Sequence, residues 1–281
     1  MTSREPDPPG GPPPADRTAQ DVLDVRTPNA ARMHDYWLGG KDNFAADREA
    51  AEQVIAISST PGVVRDVRAH RAFLGRAVRH LAAEGLDQFL DIGTGLPTRD
   101  NVHQVARRAV PGARVVYVDY DPVVCAHGRA LLAVDEGVEF VHADLRRPDD
   151  LLADPVVTAT LDFGRPVALL LTGVLHHLAD EDAPHEVVAR LTKALAPGSH
   201  LVVSQVSCEP GPDRIARAAD VFENATARLV PRTRADILRF FDGFELLEPG
   251  LVNVPAWRPD DPRDAEDAHL YATLAAVARK P

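Results

Sequence analysis

Four short stretches carry the side chains best suited to gripping and reacting a small ligand. In Asp91-Ile92-Gly93-Thr94-Gly95 a carboxylate is followed by two glycines, whose backbone can pass close to a bound molecule. Asp119 stands in VVYVDYDP, where a carboxylate can accept both hydroxyls of a ribose. Asp144 in HADLRRP could accept the amino group of an adenine. Thr172-Gly173-Val174-Leu175-His176-His177 supplies a glycine beside two imidazoles. Imidazole titrates near neutral pH, so His176 is the candidate general base if the chemistry needs one.

Each of these stretches follows a short apolar run: residues 88–92, 114–118, 138–142 and 166–172, with a fifth run at 200–206. Continuous runs of Val, Leu and Ile at this length are what strands buried on both faces look like. Their alternation with helix-like segments predicts a doubly wound α/β domain with a mostly parallel sheet. In such a sheet ligands sit outside the carboxyl ends of the strands, where these residues lie. Phe244–Leu247 and Leu270–Val277 read as a final strand pair, the last strand antiparallel.

Ahead of the sheet, Val63–Ala83 repeats apolar residues at helical spacing and carries the basic row Arg65, Arg68, Arg71. That row is either a solvated face or a hold for an acidic group. Residues 26–56 gather Tyr36, Trp37 and Phe44 around Gly39-Gly40, as a folded cap or lid would. Lys41, Asp42 and Asn43 beside them add the polar groups a lid could close over a ligand. Residues 1–18, dense in Pro, Gly and charge, are expected to form a flexible tail. The expected division is therefore a tail at 1–18, a helical cap at 19–83 and a ligand-binding α/β domain at 84–281.

Charge narrows the ligand. The sequence holds 42 acidic against 31 basic residues, a net charge of -11, which disfavours a nucleic-acid backbone as partner. A dinucleotide fingerprint wants a third small residue after the glycines, and here that position is Thr98. Asp91 directly before the glycines would repel a pyrophosphate and favours a cofactor with a cationic amino-acid end. S-adenosylmethionine fits that charge better than a nicotinamide dinucleotide. Cys125 and Cys208 show no disulfide or metal spacing, and His34 and His103 have no metal partners at recognisable spacing, so no metal is expected. No apolar run approaches the ~20 residues that span a bilayer, and the start lacks the apolar stretch of a secretory signal. The expectation is a cytoplasmic protein without membrane contact.

These motifs carry a resemblance. FLDIGTGLPT, VVYVDYDP, HADLRRP and LLLTGVLHHLAD resemble the successive motifs of class I methyltransferases. PNAARMHDYWLGGKDNFAADREAAE together with FLDIGTGLPTRDNVHQVA looks like a family of S-adenosylmethionine methyltransferases found in actinobacteria, once classed as a domain of unknown function. The likeness runs from about Arg26 to Lys280 and implies a seven-stranded, Rossmann-like sheet with an N-terminal helical cap. It implies S-adenosyl-L-methionine along Gly93, Thr94 and Gly95, its amino group near Asp91 and its ribose on Asp119. Tyr120 would pack on the adenine, Asp144 and Leu145 would hold the adenine edge, and Thr172 and Gly173 would lie near the sulfur. By their own chemistry Tyr36, Gly39, Gly40, Lys41 and Asn43 would close over the ligand as a lid, the alternative being a cap that only packs on the sheet edge. The fourth motif lacks the acid or amide that amino-methylating enzymes place there. The methyl acceptor is expected to be a small molecule; a silent, cofactor-binding sensor is the alternative, and an NAD-dependent oxidoreductase a more distant one.

Overall fold

The computed structural model describes residues 24–58, 61–209 and 211–281, so the expected tail at 1–18 lies outside it. Its strands are β1 (Gln88–Ile92), β2 (Arg114–Asp119), β3 (Val138–His142), β4 (Ala168–Thr172), β5 (His200–Val206), β6 (Glu245–Leu246), β7 (Val252–Asn253) and β8 (Thr273–Arg279). The order is β3-β2-β1-β4-β5-β8-β6, with β7 also paired to β8. The first five strands are parallel, and β8 runs antiparallel to β5. Seven positions match the expected sheet, and the two-residue β7 is an eighth strand too short to leave a period in the sequence.

Every residue of β1 and β4 is buried. Alternation along the strands divides their side chains between two cores. Phe89, Tyr117, Leu170 and Val202 face one side, packed against α3 (Val63–Ala83), α4 (Val102–Arg107) and α5 (Pro122–Leu131). Leu90, Val118, Leu171 and Val203 face the other, packed against α7 (Pro155–Thr160), α8 (Pro184–Lys193) and α10 (Arg234–Arg239); α6 (Pro148–Leu152) completes that layer. The strand order reverses between β1 and β4, which opens a crevice at their carboxyl ends.

A third apolar cluster builds the cap. Met33 and Trp37 of α1 (Ala30–Leu38) meet Ala50, Ala51 and Val54 of α2 (Ala45–Ile57), Val67 of α3, and Phe222 of α9 (Pro212–Phe222). The helix α3 is continuous and shared: Val67 belongs to the cap, whereas Phe73, Leu74, Ala77, Val78 and Leu81 belong to the sheet core. A boundary after residue 83 therefore falls behind a helix that serves both units. Among the described residues no helix is long and apolar enough to cross a membrane.

Candidate active site

A cavity of about 270 Å³ lies between the crevice and the cap. Asp91, Gly93, Thr94 and Gly95, Asp119 and Tyr120, and Thr172, Gly173 and His176 all line it, so residues from three of the four expected strand ends meet at one cavity. The glycine turn is tight because it must be. Gly93 has φ +73°, and a Cβ there would collide with the side chain of Val174, so the turns after β1 and β4 touch through an absent side chain.

The carboxylates are built into this turn. Thr94 Oγ1 donates to Asp91 Oδ2 at 3.0 Å, and the Gly95 N–H donates to Asp119 Oδ2 at 2.9 Å. The N–H of Asp121 donates to the other oxygen of Asp119 at 3.0 Å. Burial pushes Asp91 up to about 6, opposed by the Thr94 hydroxyl and the nearby Arg71 charge. Burial also raises Asp119, against the pull of its backbone donors. Five carboxylates (Asp35, Asp66, Asp91, Asp119, Asp121) and two guanidiniums (Arg71, Arg214) line the cavity, an electrostatic setting that suits a cation and repels a pyrophosphate.

Asp121 caps α5 by accepting from the N–H groups of Val123 and Val124. Its second oxygen accepts from Asn29 Nδ2 at 2.6 Å, which ties the start of α1 to the rim beside Asp119. Asn29 Nδ2 also donates to Thr226 Oγ1 at 3.0 Å. None of these partners is adjacent in sequence, and no local pattern marks Asn29 as part of the site.

Asp144 and Leu145 are not among the cavity's lining residues. Arg146, two residues on, binds both oxygens of Asp144, with Nη2 2.6 Å from Oδ2, and Leu145 is buried in the sheet core. The Asp144 carboxylate is thus paired with Arg146 rather than facing this cavity. The segment after α1 also differs from the expected lid, since Tyr36, Gly39, Gly40, Lys41 and Asn43 do not line the cavity. Its polar groups turn inward on Asp35, which accepts from the Asp42 N–H at 2.9 Å and from Asn43 Nδ2 at 2.7 Å. A Cβ on Gly40 would strike the Asp35 carboxylate, and Gly39 takes φ +84° to end the helix. The Tyr36 hydroxyl bonds Glu52, and Lys41 is exposed. The variants Tyr36→Ala and Lys41→Ala should accordingly leave cofactor affinity within about twofold, whereas Gly40→Ala should lower the melting temperature by several degrees. Calorimetric titration and thermal melts of the three variants check this, and a large affinity loss in Lys41→Ala would restore the lid.

Of the basic row on α3, Arg65 and Arg68 are exposed, while Arg71 lines the cavity and donates to the carbonyls of Arg99 and Asp100. A group absent from the expected site completes it: His34 of α1 and His70 of α3 line the cavity with His176 and His177. The rings of His34 and His70 meet edge-on at 6.2 Å, and His70 Nε2 is 2.7 Å from Ser204 Oγ, two residues before the end of β5. Burial holds all four imidazoles below their usual range, His34 at about 3 and His70 at about 4, so they are neutral at physiological pH. Among the described residues no cluster of three or more His, Cys, Asp or Glu is arranged to hold a metal.

The same architecture occurs in known proteins. A crystal structure of a DUF574 family protein from Streptomyces avermitilis superposes with a TM-score of 0.87 at 40% identity, covering 92% of this chain and 99% of that one. A candidate methyltransferase from Thermobifida fusca gives a TM-score of 0.85 at 42% identity over 92% and 96% of the two chains. A demethylmenaquinone methyltransferase of Clavibacter sepedonicus is 31% identical over 153 residues, a stretch that spans 54% of this chain and about half, 53%, of that relative. With the cation-seeking crevice at the β1/β4 switch point, and with residues 16–281 matching the family described as S-adenosyl methyltransferase, the chain belongs to that family of S-adenosylmethionine-dependent enzymes.

Proposed function

We propose that this enzyme delivers a methyl group from S-adenosylmethionine to a small, largely apolar molecule seated under the cap. The observation that carries the reading is the continuity of one cavity, from the glycine turn and Asp119 to the apolar wall of Trp37, Leu38, Val54 and Phe222. When bound, the cofactor supplies a methyl carbon already activated by its sulfonium.

The chain's own residues then bind, orient and exclude water. Asp91 holds the cationic amino-acid end and Asp119 the ribose hydroxyls. Tyr120, at the open rim with 42% exposure, offers its ring to the adenine. Gly173, lacking a side chain, leaves the room that the His70 ring takes beside the cavity. Calorimetric titration with S-adenosylmethionine and with NAD tests the reading. Micromolar binding of the first and none of the second is expected, and the reverse would overturn it.

Asp91 gives the cofactor site its pH dependence. Its carboxyl is raised to about 6, and a cationic partner binds only the ionised form. Above that value the carboxylate is already charged and affinity is flat. Below it, binding must expel a proton, so the dissociation constant should rise about tenfold per pH unit. His34 and His70 stay neutral across this window and do not contribute. Titration calorimetry between pH 5 and 8 measures the slope, and Asp91→Asn should be weak with a shallower slope, what remains coming from Asp66, which burial also raises to about 6, and from Asp119.

A further inference from the structure

We propose that His70, oriented by Ser204 and met edge-on by His34, takes the proton from the methyl acceptor, and that this acceptor is a neutral, planar molecule presenting a phenolic or enolic hydroxyl. The inference rests on the methyltransferase reading above and names its substrate class. Position is the first argument. A Cβ at Gly173 would lie 3.0 Å from His70 Cε1, so the imidazole rests on the backbone just beyond β4, at the joint between the glycine-turn end of the cavity and the apolar chamber.

Orientation is the second. Ser204 is fully buried and pairs with Nε2 of His70 at 2.7 Å; in the assigned tautomer, whose Nε2–H donates to Ser204 Oγ, Nδ1 carries the lone pair and has no hydrogen-bond partner among the described residues. Neither ring nitrogen of His34 has such a partner, and both rings line the cavity, so each neutral imidazole has one acceptor nitrogen to offer a ligand there. A hydroxyl is the donor that matches a neutral imidazole. His176 differs, because its Nδ1 is enclosed without a partner and its ring packs on His177 at 4.5 Å, with nothing to set its tautomer.

The third argument is the company. Val54, Val67, Ile215 and Phe222 wall the chamber and select an apolar body, while the surrounding carboxylates repel carboxylate and phosphate acceptors. Burial with Arg71 alongside keeps the resting His70 neutral, so a proton taken from the acceptor must pass on as the methyl transfers. In the transfer the hydroxyl proton passes to His70 and the oxygen electron pair forms the O–C bond. The C–S bond breaks with its pair returning to sulfur, giving a methyl ether, a neutral thioether and an imidazolium that discharges to water.

The test uses the full chain with S-adenosylmethionine and 7-hydroxycoumarin as probe acceptor, with benzoate and phenethylamine as counter-probes, products being read by mass. Methylation of 7-hydroxycoumarin is expected. His70→Asn and His70→Gln should each lower kcat by about a hundredfold or more, with cofactor affinity within about twofold of the parent. Ser204→Ala should cost about tenfold in kcat with KM little changed, and Ser204→Thr should restore it. Binding of 7-hydroxycoumarin to the S-adenosylhomocysteine complex, followed by fluorescence, gives a readout independent of turnover. Cofactor binding without methylation of the probe, preference for benzoate or phenethylamine, or undiminished turnover in both His70 variants would overturn the proposal. Failure to bind S-adenosylmethionine at all would instead sink the methyltransferase reading, and this inference with it.

Discussion

Asp119→Ala should raise the dissociation constant for S-adenosylmethionine by at least about a hundredfold while leaving the protein folded. One oxygen of this carboxylate accepts from Gly95 and the other from Asp121, so a single side chain fixes the glycine turn of β1 relative to the start of α5. Hydrogen bonds to a charged group contribute about 1.5–3 kcal/mol each, and a ribose would draw on the same oxygens. The loss falls on binding more than on folding. Asp119 lines the cavity, so water can replace it at the two released N–H groups when no ligand is present. Asp119→Asn should be nearly as weak, because its amide presents a donor where two donors already converge. Calorimetry paired with thermal melts separates the effects, and an affinity within threefold of the parent would remove Asp119 from the cofactor site.

The strands were legible for a physical reason. A strand covered on both faces is apolar at most positions, and the runs of β1, β2, β4 and β5 stand out for that reason, while β3 at the sheet edge already mixes in Glu139 and His142. Residues at the ends of those runs were legible too, because a doubly wound sheet brings strand ends to one rim whatever the loops do. Asp91, Asp119 and Gly173 meet there for that reason. Asp144 shows the limit of the rule. It stands after β3 as expected, yet a neighbour two residues away captures its carboxylate, and strand-end position says nothing about such local competition.

The cap residues were harder to read. Gly39 to Asn43 carries every group a lid would use, but Asp35, seven residues before Asp42, takes up its donors and turns the segment into a helix stop. On α3 a three-residue spacing drifts by about 60° per step, so Arg65 and Arg71 point about 120° apart. One reaches water and the other the cavity. His34 and His70 left no signal as a site because they come from helices ahead of the sheet, and only the fold brings His70 to Ser204 and Gly173 and His34 beside it.

Asp47→Ala should have the largest effect on stability, about 3–5 kcal/mol, because it strands a buried cation. Arg32 and Asp47 are 3% and 0% exposed in their side chains and meet at 2.8 Å. Asp47 also accepts from the N–H groups of Asn29 and Phe44, both at 2.8 Å, so it joins the start of α1 to the start of α2. Removing it leaves a buried guanidinium and two backbone donors without their carboxylate. Arg32 would keep only its bonds to the carbonyls of Asp24 and Thr27. For a domain of this size the loss corresponds to roughly 6–20 °C in melting temperature. Asn29 carries the damage into the site, since the residue that Asp47 anchors is the one that bonds Asp121 beside the cofactor rim. Cofactor affinity should therefore fall with stability, and saturating S-adenosylmethionine should recover part of the lost melting temperature. A double variant, Arg32→Met with Asp47→Leu, should be more stable than Asp47→Ala, because it removes the stranded charge while keeping apolar volume. Equal stability of the double and single variants would show that the cost lies in the lost backbone bonds and not in the unpaired cation.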